Sequence, residues 1–120
     1  MDERRILFER LKRIKDYWVK TSIESLDEKT DLIWSEYEEE YKLLQSLISG
    51  EDAKKAYSKV IDELLKGTIH SILVMLDGGD ELTDMFSIDV INADTHKSLN
   101  EDSSLHEGFF EFLMDVEDNE

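Results

Sequence analysis

The sequence predicts a mainly helical α+β fold: three long helices, a small β element near 85–99 and a C-terminal helix, in one domain over 1–120. Three observations carry this expectation. The chain has no proline, so nothing removes a donor from a helical ladder. Apolar residues recur at three- and four-residue steps through most of its length. Only between Phe86 and Ile91 does the spacing change to the two-residue alternation of a half-buried strand. A chain of 120 residues buries roughly two thirds of its unfolded surface, enough for one autonomous core.

The first helix is expected over 3–21, where Leu7, Leu11, Ile14 and Trp18 share a face. Asp2 and Glu3 stand where the helix dipole favours anions, and Lys20 near the end that favours cations. The second helix is expected over 28–49, capped by Asp27 or Thr30 and stopped by Gly50. Its stripe is Ile33, Tyr37, Leu44, Leu47 and Ile48, with Trp34 and Tyr41 flanking.

The third element starts at Glu51 and carries Ala53, Ala56, Tyr57, Val60, Ile61, Leu64 and Leu65, and here two readings compete. If Gly67 ends the helix, residues 68–76 become a buried strand and DGGD a hairpin turn. If Gly67 is tolerated, at a cost of about 1 kcal/mol relative to alanine, one helix runs to Leu76 and stops at Gly78 and Gly79. The unbroken spacing from 57 to 76 favours the long helix. Beyond it, Phe86, Ile88 and Val90 alternate with Ser87, Asp89 and Ile91, NADT at 92–95 has turn chemistry, and HKSL is placed to return as a partner strand. The last helix is expected over 104–116, with Ser103 or Ser104 and Glu107 as a capping box and Phe109, Phe110, Leu113 and Met114 as its apolar face.

Charge narrows the function classes. The net charge is −16, distributed as +3 over residues 1–22, −6 over 23–76 and −13 over 77–120. Such a field repels nucleic-acid phosphates and anionic lipid, and it steers basic partners inward. The absence of cysteine excludes disulfides, thiolate metal sites and a cysteine nucleophile. No leader-like h-region opens the chain and no apolar run approaches about 18 residues, so the expectation is a soluble cytoplasmic protein.

Chemical motifs are sparse. Residues 76–82 read LDGGDEL, which is similar to the GGDEF signature of the cyclic-di-GMP synthases. That family places an arginine two residues before the first glycine, where this chain has Leu76, and its upstream metal-binding aspartate segment has no counterpart between Asp31 and Lys66. The stretch therefore reads as a helix stop or turn, and not as a cyclase loop. Asp77, Asp80, Glu81 and Asp84 are oxygen donors of the kind hard cations take, without the spacing of an EF-hand. His106-Glu107 opens like a zinc-protease helix, but Phe110 stands where the second histidine belongs. A metal-binding domain or metal-dependent enzyme built from His70, His106 and the Asp77–Asp84 acids remains an alternative reading, as does a homo-oligomeric structural or regulatory subunit.

The segment EYEEEYK at 36–42 interleaves Tyr37 and Tyr41 with Glu36, Glu38, Glu39 and Glu40, the combination of anchor and charged rim that fits a basic partner. In being short, cysteine-free, strongly acidic and empty of catalytic motifs, the chain resembles small acidic bacterial immunity or antitoxin-type proteins. The resemblance implies a non-enzymatic inhibitor without cofactor that occludes a basic protein. Its expected contacts are Glu36, Tyr37, Glu38, Glu39, Glu40, Tyr41, Asp80, Glu81 and Asp84.

Overall fold

The unbroken stripe before Gly78 forms one helix in the computed structural model, which describes residues 2–119. The fold is mainly helical, with α1 (Glu3–Glu24), α2 (Glu38–Leu47), α3 (Glu51–Leu76) and α4 (Leu105–Asp118), and a 3-10 turn at Glu81–Asp84. Of the two readings of residues 68–76, the helix is the one adopted. Its stop follows from the glycines. Gly78 takes φ +83°, and the N–H groups of Gly78 and Gly79 return to the carbonyls of Met75 and Val74, the paired bonds of a Schellman cap.

The chain forms two compact units, one made of the residues up to Arg13 and from Gly67 onward, the other of Ile14–Lys66. In the first, Phe8, Leu73, Leu105, Phe109, Phe112 and Leu113 form a buried core, with Leu7, Leu11, Ile69, Val90 and Val116 packed against it. The inner face of α4 therefore includes Leu105 and Phe112, whereas Phe110 and Met114, expected inside, are exposed. Ser104 caps α4 as expected, its hydroxyl accepting from the Glu107 N–H. Gly108 lets α1 approach α4 closely: a Cβ there would meet the Phe8 ring at 3.0 and 3.1 Å and the Arg4 guanidinium. That guanidinium is not free to move aside, because it donates to the carbonyls of Leu99, Ser103 and Ser104.

The small β element expected near 85–99 is not formed: there is no strand among the described residues. One antiparallel bridge, Ile91 with Ser98, is all that remains of it. Side chains take the places a ladder would fill. Asn92 Oδ1 accepts from the N–H groups of Asp94 and Thr95, Asn100 Oδ1 from that of Val90, and Ser98 donates to Asp89. Two short segments without a third strand are marginal in water in any case. Met85, Phe86, Ile88 and Ile91 are left exposed.

The second unit has a more polar interior. Lys15 is 2% exposed, and its ammonium donates to Asp16 and Asp62, the latter also paired with Lys66. Burial pushes the Asp62 carboxyl up, but bonding to Lys15 and Lys66 outweighs it and holds the group below its ordinary value. Buried Gln45 donates to the carbonyls of Ser25 and Asp27, fastening α2 to the turn after α1. Leu26 and Leu32 are the buried apolar residues here, while Ile14 and Trp18 of the expected α1 face are exposed, as is neighbouring Tyr17.

The second helix is much shorter than the expected span of 28–49, and three side chains explain why. Asp27, Asp31 and Ser35 each accept a hydrogen bond from the backbone N–H two residues on, at Lys29, Ile33 and Tyr37. These local turns compete with helical bonding, and they recur every four residues until Glu38. No described helix is long and apolar enough to cross a membrane.

Two glycines on helices should respond in opposite directions to alanine. At Gly67 nothing lies within 4 Å of an added Cβ, so Gly67→Ala should stabilise by about 1 kcal/mol through helix propensity. Gly108→Ala should destabilise by about 1–3 kcal/mol through overpacking against Phe8 and Arg4. Thermal unfolding of both variants followed by circular dichroism checks the pair; a loss at position 67 or a gain at 108 contradicts this packing.

Candidate functional site

The turns that shorten α2 also create the most distinctive surface of its unit. The Asx and Ser turns hold the chain over 27–37 with Leu32 buried and most of its neighbours exposed, the aromatic side chains among them. Ile33 is 88% exposed, Trp34 58% and Tyr37 62%. Trp34 is nevertheless fixed: its indole N–H donates to the Asp31 carbonyl, and its ring meets that of Tyr41 edge to face at 5.7 Å and 68°. Tyr41 is half-buried and has Tyr57 of α3 nearby, whose phenol is pushed up by burial and by Tyr41.

Carboxylates adjoin these rings in the chain. Glu38, Glu39 and Glu40 occupy the first turn of α2, where the helix dipole stabilises negative charge. Glu38 is paired with Lys42 at 3.1 Å, one turn on. Glu36, Glu39 and Glu40 are exposed and have no cation beside them among the described residues. The expected contacts Glu36, Tyr37, Glu38, Glu39, Glu40 and Tyr41 thus fall together on one continuous segment.

Asp80, Glu81 and Asp84 belong to the other unit. There Asp80 is engaged by the fold: its carboxylate accepts from the Leu82 N–H at 2.6 Å and its carbonyl from that of Thr83, closing the 3-10 turn that contains Glu81 and Asp84. All three are exposed.

His70, Asp77 and His106, the residues of the metal alternative, also come together. The His70 and His106 rings meet edge to face at 5.4 Å. The Asp77 side chain is 5% exposed, and its Oδ2 accepts from the His106 backbone N–H at 2.9 Å and from His106 Nδ1 at 2.7 Å. An ionised carboxylate only accepts, so Nδ1 carries the proton. Asn100 Nδ2 donates to Asp77 Oδ1 at 3.1 Å. Burial pushes the Asp77 carboxyl up, but the bonds from the N–H groups of Leu105 and His106, from the His106 ring and from Asn100 outweigh it and hold it below the ordinary carboxylate range. With both oxygens occupied in this way, Asp77 serves as a second cap on α4 and ties the end of α3 to it. Among the described residues, no group of three His, Asp or Glu side chains is disposed to hold a metal ion.

Two features escaped the sequence reading. Asn100 carried no motif, yet it links Asp77, the Leu76 carbonyl and Val90. The outward turn of Ile33 and Trp34 was signalled by the four-residue recurrence of Asp27, Asp31 and Ser35, a pattern that favours turns over helix. Comparison of the chain with protein-family models, curated proteins and solved structures finds no match.

The role of Asp77 has a pH signature. Because its folded pKa lies below the unfolded value, its contribution is full above about pH 4 and is lost as pH falls through the folded value. Asp77→Asn should therefore cost about 1–3 kcal/mol at neutral pH, and the gap to the parent protein should narrow below about pH 4. Thermal unfolding of both proteins across that range is the check; a gap independent of pH contradicts the assignment.

Proposed function

We propose that this chain is a non-enzymatic acidic binding protein that recognises a basic protein and covers its cationic surface, in the manner of an immunity or antitoxin protein. The reading rests on one observation above others: exposed Ile33, Trp34 and Tyr37 share one segment with exposed Glu36, Glu39 and Glu40, carboxylates with no cation beside them among the described residues. Large aromatics ordered at the surface are inexpensive anchors, because little side-chain freedom remains to be lost on binding. The carboxylates around them speed encounter with a cationic partner and reject an anionic one. The net charge of −16 extends the same bias over long range. A partner whose own cationic cleft grips nucleic acid is occluded by such a surface, because protein carboxylates then stand where phosphates would.

A second reading, self-association, is favoured by the exposed Ile14, Tyr17, Trp18, Val60 and Leu64 of the second unit. Light scattering separates the two, since a mass that stays at 14.1 kDa as concentration rises excludes a dimer.

The direct check on the first reading is capture of partners by the tagged full chain from its own cell extract. Basic proteins should be retained at about 50 mM salt and released at about 500 mM, as expected for contacts screened over a Debye length. Retention should fall when Glu36, Glu39 and Glu40 are replaced together by Gln. Failure to retain any basic protein at low salt, or retention unchanged in the triple variant, removes the reading.

A further inference from the structure

We infer that the surface around α2 is specific for arginine, and that an arginine side chain of the partner's basic segment seats against the Trp34–Tyr41 ring pair. This rests on the reading of the surface as a docking site for a basic protein, and it names the group recognised there.

The geometry points to a flat cation. The Trp34 and Tyr41 rings lie 68° apart with centroids at 5.7 Å, which makes a two-walled aromatic corner. The indole N–H, the only hydrogen-bond donor of the Trp34 side chain, is already committed to the Asp31 carbonyl. What Trp34 offers a partner is therefore its π-face, which attracts cations. The ring is exposed, so the face is reachable, and the bond to Asp31 together with the contact to Tyr41 holds it in place before binding.

Charge complementarity identifies the occupant. Lys42 pairs with Glu38, and among the described residues no cation lies beside Glu36, Glu39 and Glu40, which are exposed to meet one brought from outside. A guanidinium suits both parts of the surface better than an ammonium. It is planar, it stacks on aromatic faces, it is more weakly hydrated, and its fork of N–H groups matches a carboxylate while its plane lies on a ring. Exposed Ile33 adjoins Trp34 in the chain and adds an apolar contact for the neighbouring residues of the same segment. The ligand class is thus an arginine-containing amphipathic peptide segment.

The test is calorimetric titration of the full chain with three synthetic peptides of one alternating cationic–leucine design, carrying arginine, lysine or citrulline. The arginine peptide should bind most tightly, lysine more weakly and citrulline, the neutral isostere, least. Trp34→Leu should weaken the arginine peptide about tenfold, whereas Trp34→Phe, which keeps a π-face, should lose less. Trp34 lies in an exposed turn, and circular dichroism of both variants confirms that the helices persist. Trp34→Leu binding as tightly as the parent, or lysine equal to arginine, overturns the arginine assignment. If the combined Glu36→Gln, Glu39→Gln and Glu40→Gln variant still loses affinity, the broader reading of an acidic docking surface survives that result. If that variant binds as the parent does, or no basic peptide binds at all, both fail together.

Discussion

A single buried carboxylate organises the first unit of this protein. Asp77 stands one residue past α3, and its two oxygens collect N–H groups from the start of α4, the ring of His106 and the amide of Asn100. Its desolvation is unfavourable, and the converging donors more than offset it, which is why the carboxyl is held below its ordinary range. Once α4 is anchored there, Phe109, Phe112 and Leu113 reach Phe8 and Leu73 to complete the core. Arg4 makes the complementary tie from α1, with its guanidinium spread over three carbonyls of the segment that leads into α4. Polar groups thus tie the ends of the helices that carry this apolar core.

That division of labour bears on function. A histidine pair beside an aspartate has the look of chemistry, yet here the carboxylate's acceptor capacity is spent on the backbone and side chains that surround it. The carboxylates of the Glu36–Glu40 segment are in the opposite situation. They are exposed, most have no cation beside them among the described residues, and along the chain they adjoin aromatic residues in a segment shaped by turn hydrogen bonds. In a chain with 30 acidic residues, what distinguishes one carboxylate from another is what already faces it.

Much of the helical architecture was legible in the sequence because helical periodicity is local. The stripe through Leu64, Gly67 and Leu76, the stop at Gly78 and the cap at Ser104 all follow from spacing and glycine chemistry. Two expectations gave way where polar side chains bonded to nearby backbone. Asp27, Asp31 and Ser35 withheld 28–37 from a helix, and Asn92, Ser98 and Asn100 reduced the expected β element to one bridge. Apolar spacing does not report that competition. The charged members of the candidate surface were readable from composition, and the pairing of His106 with Asp77 was not, because it joins residues 29 apart in sequence.

The proposed binding surface on the Asp31–Tyr41 segment and the structural role of the Asp77 constellation can be tested together. Backbone amide chemical shifts of the isotopically labelled full chain, followed as an arginine-rich peptide is added, test this most directly. Perturbations should concentrate on Asp31–Tyr41, with the amides of Asp77, Asn100 and His106 unchanged. Perturbations centred on His70, Asp77 and His106, or spread evenly over the acidic residues, would contradict it.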